Sequence, residues 1–310
     1  CEKSICLNLL YCDLLMDQNV KNVDLKLDNI EVLTSGTTAE FVNGILDFLL
    51  YQRRQIPFVY KTYKYYVDKW SDADESGESK DQESFAHYQR NQQRSKAKAT
   101  KESISDMREI IRQAFRSSEV KSLRFLFGNN MFMPSEAYTL HIPHDSISRD
   151  HYCEHHALPE GRINQALLRL LTCEELYRLF STELKVTNVF LEMELLTDSD
   201  RPQGSHCDSF NLIPKHILSQ LPRSCKNIHL HLLHCTDNTL NELRCCKEMD
   251  IYHDLGVRNL DKSGEDVSQT NEEHDVLKAA NETSGWWQAE VIVRGFRAPG
   301  NQKSGDLWSS

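Results

Sequence analysis

The chain has 310 residues, with 36 Lys plus Arg against 46 Asp plus Glu and a formal net charge of −10, so it is long enough to bury a substantial core without disulfide or metal staples. Its 39% hydrophobic and 26% charged residues are those of a soluble globular protein, and the acidic balance argues against broad binding to nucleic acid or acidic lipid, which needs clustered cations. The 10 Cys include no CxxC pair, which excludes a zinc ribbon or a thioredoxin-like site and points to reduced thiols in a nucleocytoplasmic protein.

Residues Ile5 to Met16 are apolar enough to resemble a signal-peptide core, but Asn8 and Asp13 interrupt them and no small-residue cleavage site follows. No stretch approaches the roughly 20 apolar residues that span a bilayer, and the sequon at Asn281 is read as a chance match. Residues 1–28 are taken as an N-terminal segment with no assigned element. Thr37 and Glu40 have capping-box spacing, and Phe41, Val42, Ile45, Phe48 and Leu49 then recur at helical intervals until Pro57. Tyr60, Tyr63, Val67 and Trp70 predict a second, short helix. From 71 to 102 the apolar content collapses, with acidic residues first and basic ones later, which reads as a solvated linker.

Helical spacing resumes at Ile104, Met107, Ile111 and Phe115, and the apolar run from Leu123 to Phe127, closed by Gly128-Asn129-Asn130, predicts a strand and turn. Further strands are expected at Tyr138 to Ile142, Val186 to Leu196, Phe210 to Leu218, Asn227 to Leu233 and Trp286 to Phe296. A helix is expected from Arg162 to Phe180, with polar stretches at 197–209 and 236–285. Helices early and strands mostly late imply an α+β fold, three main helices packed on a largely antiparallel sheet. No Gly-rich phosphate loop follows a strand.

In the helix from Arg162 to Phe180, at about 100° per residue, Ile163, Ala166, Leu167, Leu170 and Tyr177 form one stripe. Leu168, Leu171 and Leu179 fall on another, so the helix is either sandwiched inside the fold or reserves one face for a partner. Cys153 with His155 and His156, near His151, is the one group from which a zinc site or a cysteine nucleophile is conceivable; it lies in a loop-like segment, and a polar surface turn is the reading preferred. His229 and His231 alternate with Ile228, Leu230 and Leu232, which a half-exposed strand explains without a ligand role. Adjacent Trp286 and Trp287 must point to opposite faces, one into the core.

The segments Phe48 to Pro57 (FLLYQRRQIP), Phe125 to Tyr138 (FLFGNNMFMPSEAY) and Trp286 to Arg297 (WWQAEVIVRGFR) resemble, in the same order, the Comet family of HORMA-fold proteins. The stretches Tyr51-Gln52-Arg53 and Gly295-Phe296-Arg297 are the most distinctive. The resemblance implies a HORMA-like domain over 29–297, with polar insertions at 71–102 and 236–285 and a flexible tail at 298–310. It implies a non-catalytic adaptor that binds the closed conformer of the mitotic-arrest-deficient-two checkpoint protein and presents it to the pachytene-checkpoint AAA+ ATPase. The mitotic checkpoint complex is thereby dismantled and the spindle assembly checkpoint silenced. No cofactor, metal, small-molecule substrate, nucleic acid or membrane is implied, and the expected location is nucleus and cytoplasm, with spindle or kinetochore association in mitosis.

By position, Gln52 matches a family interface residue, and Leu171 stands where the family has an exposed aromatic anchor. Leu168 and Leu179 join Leu171 as partner-binding residues. Pro214-Lys215 matches, with a one-residue shift, a pair linked to ATPase engagement. The alternative from a different class is a metal-dependent or cysteine hydrolase centred on Cys153, His155 and His156.

Overall fold

The computed structural model describes residues 20–27, 30, 32–75, 85–148, 160–197, 211–215, 218–234, 283–298 and 307–308. The first helix, α1 (Ser35–Gln52), starts at a reciprocal cap between Thr34 and Thr37: the Thr34 hydroxyl accepts from the Thr37 amide at 3.1 Å, and Thr37 Oγ1 accepts from the Thr34 amide at 2.8 Å. Glu40, the expected capping partner, instead takes the Arg112 guanidinium at 2.6 Å. Phe41, Val42, Ile45, Leu46, Leu49 and Leu50 are each at most 1% exposed, so α1 is enclosed on more than one face and is the centre of the core.

Two helices follow, α2 (Tyr60–Glu75) and α3 (Phe85–Ser117), and they overturn the linker expected over 71–102, of which 76–84 lie outside the described residues. The N-terminal half of α3 has little apolar content because α2 supplies its contacts. Tyr63 Oη donates to Ala97 O at 2.9 Å, Lys101 pairs with Asp68 at 2.8 Å, and Ala97 is fully buried. One alanine occupies the position that a longer apolar stripe would otherwise mark.

The strands are β1 (Val20–Lys26), β2 (Glu119–Gly128), β3 (Glu136–His141), β4 (Asn188–Thr197), β5 (Leu212–Lys215), β6 (Lys226–Leu233), β7 (Thr283–Ala289) and β8 (Val293–Arg294). They form one mixed sheet in the order β1-β6-β3-β2-β4-β7-β5, with β8 also on β4. Pairing of β6 with β1 and with β3 is parallel and the other pairings are antiparallel, so the fold is α+β with a largely antiparallel sheet. β1 gives part of the N-terminal segment, to which the sequence assigns no element, a definite place: Val23 and Leu25 are buried, and Val20 pairs with Asn227 of β6, far along the chain. One face of the sheet joins α1 and α3 through Leu123, Phe125, Tyr138, Leu191, Met193, Ile228 and Leu230.

Two expected single elements are divided. The helix over 162–180 is α4 (Glu160–Thr172) and α5 (Glu174–Ser181), separated at Cys173, whose φ of −72° and ψ of 118° are extended. The strand over 286–296 is β7 and β8, interrupted at 290–292. Trp287 packs against the core and Trp286 lies on the opposite face beneath the Arg124 guanidinium, 5.6 Å from its ring centroid. The flexible tail expected at 298–310 is corrected in part, because Leu307 is buried and Trp308 packs among aromatic rings.

Candidate interaction site

The C-terminal end of α1 is anchored by Arg53, a cation with only 1% exposure. Its Nε and Nη2 donate to Glu136 Oε2 and Oε1 at 2.8 and 2.6 Å, a bidentate pair, and Nη1 donates to the carbonyls of Leu179 and Thr182 at 3.1 and 2.9 Å. Both carbonyls lie at the C-terminal end of α5, where the regular i→i+4 bonds run out; Leu179 O also accepts from the Thr182 amide at 3.1 Å and hydroxyl at 2.7 Å. Arg53 therefore joins the end of α1, strand β3 and the end of α5 at one point. Tyr138 Oη donates to Glu136 Oε2 at 2.8 Å, and Lys226 Nζ lies 3.8 Å from Oε1.

Gln55 performs a second clamp. Its Nε2 donates to Arg53 O at 2.7 Å, its Oε1 accepts from the Thr187 amide at 2.8 Å, and its own carbonyl accepts from the Phe296 amide at 2.7 Å. The chain after β8 is thereby held against the end of α1. Gly295 is required by that approach, since a Cβ there would lie 2.5 Å from Gln55 Oε1 and 3.1 Å from Thr187 O.

Between these clamps lies an open pocket of about 430 Å³, with Ile56, Pro57, Phe180 and Phe296 among its walls and Tyr51, Gln52, Arg54 and Arg297 completing them. Phe180 is set by an edge-to-face contact with Phe48 at 5.8 Å. Arg54, in the left-handed region at φ 53°, and Arg297 both reach Glu183, at 3.2 and 2.8 Å. The Arg297 hydrogen bond and charge, with help from Arg54, hold the Glu183 carboxyl below its usual range. Gln52, half-buried, lines this pocket as a polar group beside an apolar wall.

α4 lies on α1 at Gly44, where a Cβ would come within 2.9 Å of Ile163 Cγ2. Ala166 and Leu170 face inward, while Leu168 and Leu171 are 58% and 39% exposed, so of the two readings of their stripe the structure selects the outward face over the sandwiched helix. Leu179 is a correction: at 5% exposure it belongs to the core with Leu176, and Tyr177, expected inside, is 65% exposed. The break at Cys173 resets the helical phase, so angles counted through it assign α5 to the wrong faces. Leu168 and Leu171 do not line the pocket that holds Gln52.

Pro214 and Lys215 sit on β5, at the sheet edge, where a residue without an N–H is tolerated. Lys215 Nζ is bound by the Glu192 carboxylate and donates to Ser219 Oγ at 2.5 Å. Glu192 is fully buried and is also reached by Arg124 at 3.5 Å. Lys215 thus neutralises a buried carboxylate, which leaves the exposed Ile213 and Pro214 as what this edge presents outward.

On the sheet face away from α1, His141, His229 and His231 stack, with ring centroids 4.5 Å apart for His141 and His231 and 5.2 Å for His141 and His229. His141 Nε2 and His229 Nδ1 are 2.9 Å apart. Partial burial and the two neighbouring imidazoles push the His141 pKa down to about 4, and burial lowers His229 as well. Among the described residues no cluster of His, Cys, Asp or Glu is arranged to hold a metal ion, and no helix is long and apolar enough to cross a membrane. Cys153, His155 and His156, the residues of the hydrolase alternative, lie outside the described residues.

Residue-level reasoning missed Arg53, Gln55, Phe180 and Arg297. A cation in the last turn of an apolar helix looks solvent-exposed, and the carboxylate that buries it is 83 positions away. Comparison with protein families finds no family model that matches this chain, and comparison with curated proteins finds no match.

Proposed function

We propose that the protein is a non-catalytic HORMA-type adaptor of the Comet kind, which captures the closed conformer of the mitotic-arrest-deficient-two checkpoint protein. In this reading the captured protein is handed to the pachytene-checkpoint AAA+ ATPase, and the mitotic checkpoint complex is disassembled to silence the spindle assembly checkpoint. The observation that carries the reading is the pairing of an exposed apolar helix face, Leu168 and Leu171 on α4, with a half-buried polar group, Gln52, at the end of the helix on which α4 packs. Exposed aliphatic side chains on an anchored helix present apolar area whose ordering cost is already met by the fold, the property expected of an interface centre.

Leu168, Leu171 and Gln52 are the contact residues of this reading; Leu179, buried in the core, is not among them. At the β5 edge, Ile213 and Pro214 are the surface offered to the ATPase, with Lys215 holding the strand through Glu192. The protein acts in the nucleus and cytoplasm, and at the spindle or kinetochore in mitosis.

A pull-down with the purified closed conformer tests the reading. The intact chain is expected to be retained, Leu171→Asp and Gln52→Ala to lose retention by tenfold or more, and a conformer locked open to be ignored. Equal retention of open and closed conformers, or no retention of either, would refute it.

A further inference from the structure

Trp308 is surrounded by rings from a distant part of the chain. Its centroid lies 5.0 Å from Phe58, 5.8 Å from Tyr63, 5.9 Å from Tyr66 and 4.7 Å from Trp70, with Phe296 at 6.2 Å. Leu307 beside it is 2% exposed, while Trp308 itself stays half-buried.

Each wall of this enclosure is held by something other than Trp308. Tyr63 is fixed by its hydrogen bond to Ala97 O at 2.9 Å, and Phe58 stands against Tyr66 at 5.4 Å. The Arg94 guanidinium lies over the Trp70 ring at 5.1 Å, and the Phe296 backbone is tied to Gln55 at 2.7 Å. Walls fixed independently of their occupant are the mark of a preformed site rather than of mutual collapse, and an indole in an aromatic enclosure gains from edge-to-face and tilted ring contacts as well as from its area.

We propose that α2 and the segment after β8 form a peptide-binding socket whose resident ligand is the chain's own Leu307–Trp308. A short covalent tether supplies an effective concentration on the order of millimolar, so a ligand of modest intrinsic affinity remains seated in cis. The socket accepts the same Leu-Trp side chains when they arrive on a separate peptide. Phe296 is shared between this socket and the pocket that holds Gln52, so occupancy is communicated to that pocket through one side chain.

The test uses the full chain with a site-specific protease sequence in place of residues 300–306, and a fluorescent peptide of residues 299–310 as probe. After cleavage, either the fragment carrying Leu307–Trp308 stays bound through gel filtration, or it leaves and the labelled peptide binds the cleaved protein. In the second case the intact chain should bind the probe at least tenfold more weakly, and a Trp308→Ala version of the peptide should not bind. Should the cleaved protein lose its circular dichroism when the fragment departs, recovery on adding the peptide supports the proposal and failure to recover overturns it. Folded, fragment-free protein that ignores the peptide overturns it, as does equal binding by the intact and cleaved chains. An intact chain that is dimeric and becomes monomeric on cleavage would place Trp308 in a neighbour's socket and overturn the assignment in cis.

Discussion

Glu136→Gln removes one charge from the point where α1, β3 and α5 meet, with almost no change in shape. Arg53 and Glu136 have 1% and 2% side-chain exposure, so neither can be rehydrated when its partner is neutralised. Removing one member of such a buried pair typically costs about 3–5 kcal/mol, whereas a pair this deep contributes far less net stability than its Coulomb energy suggests because both ions were desolvated on folding. Set against a total of about 5–15 kcal/mol for a domain, the single substitution consumes a large share. Arg53→Met should cost about as much, because it leaves the Glu136 carboxylate buried without its bidentate partner and also removes one donor each from the Leu179 and Thr182 carbonyls. The double variant Arg53→Met with Glu136→Leu removes both charges, and its loss should fall well below the sum of the single losses. Urea denaturation, followed by far-ultraviolet circular dichroism with the slope held as a check on two-state behaviour, measures all three. A loss under about 1 kcal/mol for Glu136→Gln would refute the reasoning, since that is the range of an exposed pair.

Three further outcomes are expected. Leu171→Asp should leave the melting temperature within a degree or two while Leu179→Asp lowers it sharply, about 2–5 kcal/mol by analogy with other core losses; equal effects in differential scanning calorimetry would place both residues in the same environment. Gly295→Ala should cost about 1–3 kcal/mol through overpacking against Gln55 and Thr187, and an unchanged denaturation midpoint would show that the close approach is easily relieved. The His141 pKa is held near 4 in the fold against about 6.5 when exposed, so the unfolded state binds the extra proton. The stability linked to His141 is therefore complete above about pH 6.5 and lost as pH falls toward 4. His141→Gln should flatten that acid limb, and Asp47→Asn gives the opposite control. Burial raises the Asp47 pKa to about 6, partly offset by Arg108, so its contribution weakens as pH rises through that window. A wild-type acid limb identical to that of His141→Gln in pH-dependent melts would remove the histidine stack from the account.

Strands β4 and β6 are legible from the chain alone because a strand's side chains alternate strictly between two faces: Val189, Leu191, Met193 and Leu195 on one strand and Ile228, Leu230 and Leu232 on the other are all buried. The core of α1 is legible for the same kind of reason, a stripe at helical spacing; the pattern also sets Leu168 and Leu171 on a stripe of their own, but their exposure is decided only by what fails to cover them. The quoted stretches Tyr51-Gln52-Arg53 and Gly295-Phe296-Arg297, noted only for their resemblance, contribute Tyr51, Gln52, Phe296 and Arg297 to one pocket. What the pattern alone does not carry is whatever depends on a partner far along the chain. β1 is a strand because β6 lies beside it, and the first half of α3 is a helix on the core because Tyr63, Asp68 and Trp70 meet Ala97, Lys101 and Arg94. Leu179 exchanges places with Tyr177 because one extended residue, Cys173, shifts the helical phase, and periodicity counted across a break has no meaning. Arg53 is buried only because Glu136 arrives to neutralise it, and Trp308 is ordered only because five rings are already in position. Local periodicity is a property of neighbouring residues and can be read along the chain; burial of a charge or of an isolated side chain is a property of the contact that covers it, and only the folded arrangement supplies that contact.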